Sequence, residues 1–345
     1  MTITEQSALA VQKPKLSVVL SFRNEEAVLP ELVRRLRLVL HNQCQENYLR
    51  DYELIFVNDQ SLDRSEEILR NEAGNNNDIR IITMSRNFGV SPCVLAGMKY
   101  ASGDLVVYMD ADLQDPPEVI PEMIKAWRDG GNIDVVNTVR LSRAGESAIK
   151  LWITKLGYKI LRSVSSIDIQ IEAGDFKLLT RRFVNHLIQC EENRPFLRGL
   201  IQWMGFDRAT VYYHREPRFA GDTKFPVFGF KVLRNFFSSA LVSFSDLPLQ
   251  LASFLGLLSS LAAFVVLIQV IIEKILGHNL PGWTAIMVAL LFLSGIQLLS
   301  IGILGLYIHG IFIESKKRPN FIVRHTFGFN DADLPVESQP ARYGT

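Results

Sequence analysis

Three aspartates and a glutamine follow an apolar run in the segment VVYMDADLQDPPE, residues 106–118. Asp110 and Asp112 are separated by one residue, and Gln114 follows two residues later. Oxygen ligands of this kind suit Mg²⁺ or Mn²⁺, which commonly take further ligands from a substrate phosphate. Unpaired carboxylates at the end of a buried strand are costly, so the pattern favours a divalent cation bound by Asp110, Asp112 and Gln114. A solvated loop is the alternative, because a DxD pattern alone is weak.

Apolar runs alternate with helical patterns in the chain before this cluster. LSVVLSF (16–22), YELIFVND (52–59), IRIITMS (79–85) and DLVVYMD (104–110) have the character of buried strands, and VLPELVRRLRLVL (28–40) has apolar residues at helical spacing. This alternation predicts an α/β fold with a mostly parallel, doubly wound sheet. Such sheets bind ligands at the carboxyl ends of their strands.

Polar side chains gather at those predicted strand ends. Asn24 and Glu25 follow the first strand, Asp59 ends the second and Asp110 ends the fourth. Because parallel strands end at one edge of a sheet, we expect these residues to share a site. No GxGxxG follows the first strand and no GxxxxGK[ST] occurs, so neither a dinucleotide site nor a P-loop is indicated.

Charge and cysteine content exclude several functional classes. The formal net charge is +1 over 345 residues, so no overall positive field indicates nucleic-acid binding. The three cysteines are widely spaced and form no CxxC pair. This excludes a disulfide scaffold and a cysteine-type zinc site, and it suits a reducing compartment.

Two long apolar segments near the C-terminus predict a transmembrane hairpin. We assign the spans to residues 250–272 and 283–310, each longer than the roughly 20 residues that cross a bilayer core as a helix. Two buried core helices are the alternative, but these would show amphipathic breaks. Lys274 is the only Lys or Arg in the connector, whereas basic residues flank the pair on both outer sides. The positive-inside rule therefore predicts that both termini are cytoplasmic.

The remaining boundaries follow from composition. Residues 1–14 read as a flexible tail, and residues 15–224 as the soluble domain. Residues 225–246 are rich in phenylalanine with interspersed cations, which predicts interfacial amphipathic helices, with a plain core helix as the alternative. Residues 311–345 are predicted to be a cytoplasmic tail.

The order of several motifs carries a family resemblance. The motifs are SFRNEE (21–26), VNDQSLD (57–63), SRNFG (85–89), ASGD (101–104), DADLQDPPE (110–118), VNTVRLSRAGES (136–147), EAGDFKLLTRR (172–182), RPFLRGL (194–200) and REPRFAGDTKF (215–225). With the two apolar segments, this order resembles the polyisoprenyl-phosphate glycosyltransferases. These include bactoprenol glucosyltransferases and dolichol-phosphate mannose synthases, which are inverting enzymes of the GT-A fold. The resemblance covers roughly residues 15–320.

The chain departs from the family pattern on the side expected to bind the nucleotide. The family's P-x-Y-N-E turn reads Ser21-Phe22-Arg23-Asn24-Glu25, and its D-D-G-S reads Asn58-Asp59-Gln60-Ser61. An aspartate before the AGDF segment is replaced by Glu172. The residues matching the metal and acceptor motifs are intact.

The resemblance implies a reaction and its participants. A hexose would move from a nucleotide sugar to polyprenyl phosphate (undecaprenyl phosphate) at the cytoplasmic face of the inner membrane. The preferred donor is UDP-glucose, so the transferred hexose would be glucose. It implies that Asn24, Glu25, Asp59 and Asp110 bind the nucleotide sugar, with Mg²⁺ or Mn²⁺ as cofactor. It also implies a multi-pass membrane protein that supplies lipid-linked sugar for lipopolysaccharide or cell-envelope glycosylation. Small residues in the second apolar segment, such as Gly302 and Gly305, could pack against other protomers, so we expect a homo-oligomer.

The matching segments also supply candidate residues for the acceptor. The resemblance implies that Arg140 and Arg218 bind the acceptor phosphate, with Arg143 and Lys224 as secondary candidates. Asp175 would lie beside the donor sugar, where it could orient the reactants, act as a base, or hold an arginine. We therefore expect Asp175, Arg140 and Arg218 to be the catalytic residues.

Other functions stay open from the sequence. A mannose synthase using GDP-mannose would share the mechanism. A processive polysaccharide synthase would carry a QxxRW segment, whose spacing Gln202-Trp203 does not match. A non-catalytic membrane scaffold with a degenerate transferase domain is the remaining alternative.

Overall fold

The computed structural model describes residues 13–141, 173–190, 192, 195–216, 247–276 and 282–330, which fall into two compact units. One unit contains a sheet with helices, and the other contains two long helices. The described strands are β1 (Lys15–Phe22), β2 (Asp51–Asn58), β3 (Ile79–Met84), β4 (Leu105–Asp110), β5 (Val135–Arg140), β6 (Ala173–Thr180), β7 (Arg208–Tyr213) and β8 (Val323–Phe327).

Helices connect most of these strands. The described helices are α1 (Leu29–Gln45), α2 (Ser65–Asn75), α3 (Val90–Tyr100), α4 (Ile120–Asp129), α5 (Arg181–Leu187), α6 (Leu197–Trp203), α7 (Leu247–Ile275) and α8 (Trp283–Ser315), and a short 3-10 turn at Pro117–Val119 precedes α4. The buried positions of α1 recur every three or four residues, which is the pattern of a helix with one face on a core.

The sheet is mostly parallel, as the sequence predicts. Its strand order is β7-β5-β6-β4-β1-β2-β3-β8. The pairs β1–β2, β1–β4, β2–β3 and β5–β7 are parallel, and the pairs β4–β6, β5–β6 and β3–β8 are antiparallel. Side chains alternate between the two faces, so Val18 and Leu20 of β1 belong to one buried cluster and Val19 belongs to the other.

The antiparallel direction of β6 matters for the site. Tyr108 of β4 pairs with Lys177 of β6. The N-terminal end of β6 therefore lies at the edge where β4 ends. Asp110 and Asp175, each two residues further along in opposite directions, come together there.

Strand β8 was not predicted. We expected residues 311–345 to form a tail, but Val323–Phe327 within that segment pair with β3 at the edge of the sheet. The backbone of Gly328 just after β8 has φ of 80°, and a Cβ there would lie 2.6 Å from the Ile79 carbonyl oxygen. Glycine therefore permits the close approach of the chain to β3.

In the second unit the structure describes α7 and α8, which pack against each other. Within the described residues, one segment, Phe292–Ser315 of α8, is long and apolar enough to cross a membrane by length and composition. The predicted interfacial helices at 225–246 lie outside the described residues.

Gly103 explains the ASGD motif in structural terms. A Cβ at Gly103 would lie 2.7 Å from the Ser17 backbone nitrogen and 2.8 Å from the Lys15 carbonyl oxygen. The Gly103 N–H donates to Ser17 Oγ at 2.8 Å, and Asp104 accepts from the Lys15 N–H at 2.8 Å. The loop before β4 is therefore fitted directly against the backbone of β1.

We predict that Gly103→Ala lowers the free energy of unfolding by about 1–3 kcal/mol, because the added methyl group meets backbone atoms that cannot rotate away. Gly74→Ala is the matched control, since a Cβ at Gly74 meets no atom within 4 Å. Denaturant unfolding of both variants measures the difference. Equal stability of the two variants would contradict the packing described for Gly103.

Candidate active site

The carboxyl ends of β1, β2 and β4 meet at one edge of the sheet. Phe22 of β1 pairs with Asn58 of β2, and Ser21 pairs with Asp110 of β4. Ser21 Oγ lies 3.5 Å from Asp110 Oδ1. The strand ends that carry the candidate residues are thus neighbours, as the sequence pattern predicts.

Asp110 lies in a concentration of negative charge. Burial, followed by the charges of Asp175, Asp112 and Asp115, raises the pKa of Asp110 to about 7. A carboxyl group with this pKa loses its proton more readily when a cation is nearby. The chemistry of this edge therefore favours a positively charged ligand.

The loop after β4 arranges the other proposed metal ligands. Asp112 Oδ1 accepts from the Gln114 N–H at 3.1 Å, and Leu113 between them has a left-handed backbone with φ of 56°. The Gln114 carbonyl oxygen accepts from the Glu216 N–H at 3.0 Å. This loop is therefore fixed to the chain that follows β7.

The donor set fits a hard cation only in part. Within the described ranges, no group of three or more His, Cys, Asp or Glu side chains is arranged to hold a metal ion. Asp110, Asp112 and Gln114 offer two carboxylates and an amide, the oxygen donors that Mg²⁺ accepts when a substrate phosphate supplies further ligands. The residue types fit the cation, and the remaining ligands would come from the substrate.

Asp175 is held by Arg198 of α6. Arg198 Nε donates to Asp175 Oδ1 at 2.6 Å, and Arg198 Nη2 contacts Asp175 Oδ2. Burial opposes ionisation of Asp175, but the hydrogen bonds and charge of Arg198 outweigh it, so the pKa of Asp175 lies below its usual value. Asp175 is therefore an oriented carboxylate.

Arg140 lies in a buried network around Asp115. Its guanidinium is 3.4 Å from the Asp115 carboxylate, and its Nε donates to the Tyr213 hydroxyl at 3.1 Å. The Tyr213 hydroxyl donates to Asp115, and Arg215 Nε lies 3.6 Å from Asp115 Oδ1. Gly174 accommodates this network, because a Cβ there would be 3.2 Å from Arg140 Nη2.

A buried lysine lies in the sheet behind these residues. Lys177 is 1% exposed, and its Nζ donates to Asn137 Oδ1 at 2.8 Å. Burial lowers the pKa of Lys177 to about 7, although the nearby Asp175 opposes this effect. The ammonium group therefore contributes a titratable positive charge next to the acidic edge.

Asn24 and Glu25 lie in a loop that is joined to the loop after β2. We call residues 23–26 and 59–62 the donor loops, because the sequence resemblance leads us to expect the nucleotide-sugar donor there. The Asn24 N–H donates to Ser61 Oγ at 3.0 Å, and Asn24 Oδ1 accepts from the Leu62 N–H at 2.7 Å. The Glu25 N–H donates to Ser65 Oγ at 2.9 Å. These bonds fix the two loops relative to each other.

Asp59 is bound to the SRNFG segment. Its carboxylate accepts from the Asn87 side chain at 2.8 Å, the Phe88 N–H at 2.7 Å and the Gly89 N–H at 3.0 Å. The carboxylate therefore fixes the turn that begins α3. This position also places Asp59 at the edge next to Asn58.

The remaining predicted site residues are not all described. Arg218, Arg143 and Lys224 lie outside the described residues. Sequence reasoning also gave no role to Arg198 or Tyr213 and no particular role to Asp115. Arg198 belongs to the RPFLRGL motif and Asp115 to the acidic cluster, but nothing in the sequence pairs either with its partner.

Comparison with known proteins decides the family. The model of glycosyl transferase family 2 matches residues 17–188. The glycosyltransferase YkcC of Bacillus subtilis (strain 168), whose function is uncharacterized, is 41% identical over 92% of this chain and 96% of that protein. The chain belongs to glycosyl transferase family 2. Its sheet unit is accordingly a GT-A-like α/β domain.

Other relatives carry a more specific name. The prophage bactoprenol glucosyl transferase homolog of Escherichia coli (strain K12) is 35% identical over 90% of this chain and 98% of that protein. The bactoprenol glucosyl transferase of Shigella phage SfV is 35% identical over 90% of this chain and 98% of that protein. The resemblance found in the sequence motifs is therefore confirmed along most of the chain.

We predict that Lys177 makes stability depend on pH. The folded pKa of about 7 lies below the unfolded value of about 10.4, so the unfolded state binds more protons between them. The free energy of unfolding should therefore rise between pH 7 and pH 10, by an amount on the order of a few kcal/mol.

Lys177→Met should remove this contribution, whereas Lys125→Met, which changes an exposed lysine of α4, should keep it. Denaturant unfolding at pH 7 and pH 9.5 measures both slopes. If Lys177→Met and the wild type gain equal stability over this range, the lysine is not a buried titrating group.

Proposed function

We propose that the protein transfers a hexose from a nucleotide sugar, UDP-glucose in the first instance, to polyprenyl phosphate. The observation that carries the proposal is the meeting of the Asp110 cluster with the Asp175–Arg198 pair at one edge of a family 2 domain. The names of the 35% identical relatives support glucose as the sugar and bactoprenol as the lipid.

The acidic edge suits a sugar-nucleotide diphosphate. Asp110, Asp112 and Gln114 would hold Mg²⁺ or Mn²⁺, which would neutralise the charge of the leaving diphosphate. Asn24, Glu25 and Asp59 lie in the donor loops, where the base and ribose would bind. The raised pKa of Asp110 supports this arrangement, since nearby positive charge would stabilise the ionised form of the carboxyl group.

The acceptor requires positive charge more than a base. A polyprenyl phosphate is already an anion at neutral pH, so its oxygen can attack the anomeric carbon without losing a proton. Arg140 lies at this edge beside Asp115 and Tyr213, where its charge can attract the phosphate. Arg218 would be the second acceptor arginine, with Arg143 and Lys224 further out.

The geometry of Asp175 favours an orienting role over that of a base. A carboxylate whose pKa lies below its usual value binds a proton weakly at neutral pH. The two-point contact with Arg198 also fixes the plane of the carboxylate. We therefore assign Asp175 to positioning the sugar and to stabilising the positive charge that develops at its anomeric carbon.

We expect the reaction to take place at the cytoplasmic face of the inner membrane. The apolar length of α8 and the charge-free run in α7 support a two-span hairpin with both termini cytoplasmic. Gly302 and Gly305 in α8 are small residues of the kind through which membrane helices associate, which supports a homo-oligomer.

The proposal predicts metal-dependent transfer of labelled glucose from UDP-glucose to undecaprenyl phosphate in lipid–detergent micelles. Asp112→Ala should lower the rate at least about 100-fold, because the developing diphosphate charge loses its stabilisation. EDTA should have the same effect on the wild type, and Mn²⁺ or Mg²⁺ should restore activity.

Asp129→Ala, which changes an exposed aspartate at the end of α4, is the matched control and should retain activity. Label from GDP-mannose alone would assign the chain to the mannose synthases. Absence of transfer from either donor, with folded protein and lipid present, would contradict the enzyme proposal and favour a scaffold.

The proposed topology predicts different labelling of two introduced cysteines. The background variant has Cys44, Cys93 and Cys190 replaced by alanine. In intact spheroplasts, a membrane-impermeant maleimide should modify His278→Cys, which lies in the connector between the two helices. Pro319→Cys, just after α8, should react only after permeabilisation. Labelling of Pro319→Cys in intact spheroplasts would contradict the cytoplasmic C-terminus.

A further inference from the structure

Glu66 of α2 joins four side chains from four different parts of the sheet unit. Its Oε1 lies 2.8 Å from His325 Nε2 and 2.8 Å from Arg70 Nη2, and its Oε2 accepts from Asn58 Nδ2 at 2.8 Å and Thr83 Oγ1 at 3.0 Å. Burial opposes its ionisation, but these hydrogen bonds, that of His325 foremost, lower the pKa of Glu66 to about 2. Glu66 is therefore an oriented anion, and both of its carboxylate oxygens accept hydrogen bonds. We call Glu66 and these four side chains the hub.

One side of this hub leads to the donor loops. Asn58 Nδ2 binds Glu66, and Asn58 Oδ1 accepts from the Ser61 N–H at 2.7 Å. Ser61 Oγ in turn accepts from the Asn24 N–H at 3.0 Å. Asn24 and Gln60 have left-handed backbones, with φ of 53° and 58°, so both loops depend on such contacts to keep an uncommon conformation.

The other side of the hub leads to β8. His325 lies in the middle of this strand, opposite Thr83 of β3. The guanidinium of Arg70 lies over the ring of Phe327 at 5.1 Å, and the Ser85 N–H donates to the Ile322 carbonyl at 2.9 Å. The strand is therefore attached to the helix and strand that carry Glu66 and Thr83.

Strand β8 follows the long helix α8 after a short connection along the chain. Only residues 316–322 separate the end of α8 from the start of β8. Strand β8 therefore follows the long apolar helix closely in sequence and pairs with β3 at the edge of the sheet. A segment that only closed the sheet edge would need backbone pairing and apolar contacts, but it would not need an imidazole bonded to a partly buried carboxylate that four side chains share.

We infer that Glu66, oriented by His325 of β8, is a positioning residue that sets the conformation of the donor loops through Asn58. This inference rests on the proposed function, since it assigns the same loops to nucleotide binding. His325 fixes one carboxylate oxygen, and the other then fixes the Asn58 amide, whose carbonyl oxygen holds the Ser61 backbone. The C-terminal strand therefore acts on donor affinity without contacting the donor.

A purely structural role for the hub predicts a different kinetic result. Loss of stability lowers the fraction of active enzyme and therefore kcat, while the KM of the remaining molecules stays the same. Loss of positioning raises the KM for the donor and leaves the KM for the lipid acceptor unchanged. The separation of these constants is therefore the decisive readout.

The test uses full-length Glu66→Gln and His325→Gln in lipid–detergent micelles, with Glu72→Gln as the matched control. Glu72 lies on the same helix and binds Arg37, outside this hydrogen-bond chain. UDP binding is measured by titration calorimetry with Mg²⁺ present. The KM values for UDP-glucose and undecaprenyl phosphate are measured separately by transfer of labelled sugar.

We expect Glu66→Gln and His325→Gln to raise the Kd for UDP and the KM for UDP-glucose about fivefold to tenfold, which corresponds to one lost hydrogen bond. The kcat and the lipid KM should change less than about twofold, and Glu72→Gln should match the wild type. Unchanged UDP affinity in both variants, or a fall in kcat alone, would overturn the inference.

Failure of the proposed function has a separate signature. A wild type that binds UDP but transfers no sugar would contradict the transfer reaction, while weaker UDP binding by the variants would still support the positioning role. A wild type that transfers glucose normally, with variants of equal donor KM, would overturn the positioning role alone.

Discussion

Repulsion among carboxylates at one edge of the sheet is the constraint on which the site depends. Asp110, Asp112, Asp115 and Asp175 are close enough that the last three raise the pKa of the first. Two of the four are compensated within the protein: Asp175 by Arg198, and Asp115 by Arg140, Arg215 and the Tyr213 hydroxyl. Among the residues that the structure describes, Asp110 and Asp112 form no such ion pair, and under the proposed function they would bind the metal ion. This division separates the carboxylates that are paired within the protein from those that would bind a metal ion.

The direction of β6 determines which carboxylates meet. In an all-parallel sheet, a strand next to β4 would bring its carboxyl end to this edge, and the start of the AGDFK segment would lie at the opposite edge. Because β6 is antiparallel to β4, the residues near its start reach the active edge instead. The same strand carries Lys177 two residues further in, which places a buried positive charge beneath the acidic cluster. One reversal of direction therefore supplies both an anion and a cation to the site.

The sequence predicts the parts of this arrangement that depend on local pattern. The alternating strands and helices up to Asp110, the parallel pairing of β1, β2 and β4, and the gathering of polar residues at their ends follow from periodicity and topology rules. Strand β8 could not be found in this way. Its sequence VRHTF is only five residues long, has apolar side chains only at its two ends, and follows a long apolar helix. The pairs Asp175–Arg198 and Asp115–Tyr213 were also out of reach. They join residues 23 and 98 positions apart, and only the folded sheet brings them together.

The departures from the family pattern acquire a physical meaning in the folded chain. Asn58 stands where the family has an aspartate, and its amide does what a carboxylate could not do beside Glu66: it donates to Glu66 and accepts from the Ser61 backbone. An aspartate at this position would place a second negative charge against Glu66, which is held as an anion by its other partners. Asparagine at position 58 is therefore compatible with the ionised Glu66 of the hub, whereas aspartate would be repelled by it. Gln60, in place of glycine, then occupies a left-handed backbone that asparagine and glycine adopt more readily. That conformation is sustained by the same bonds that join the two donor loops, so the departures alter how the loops are held while the acidic edge that would bind the diphosphate keeps its residues.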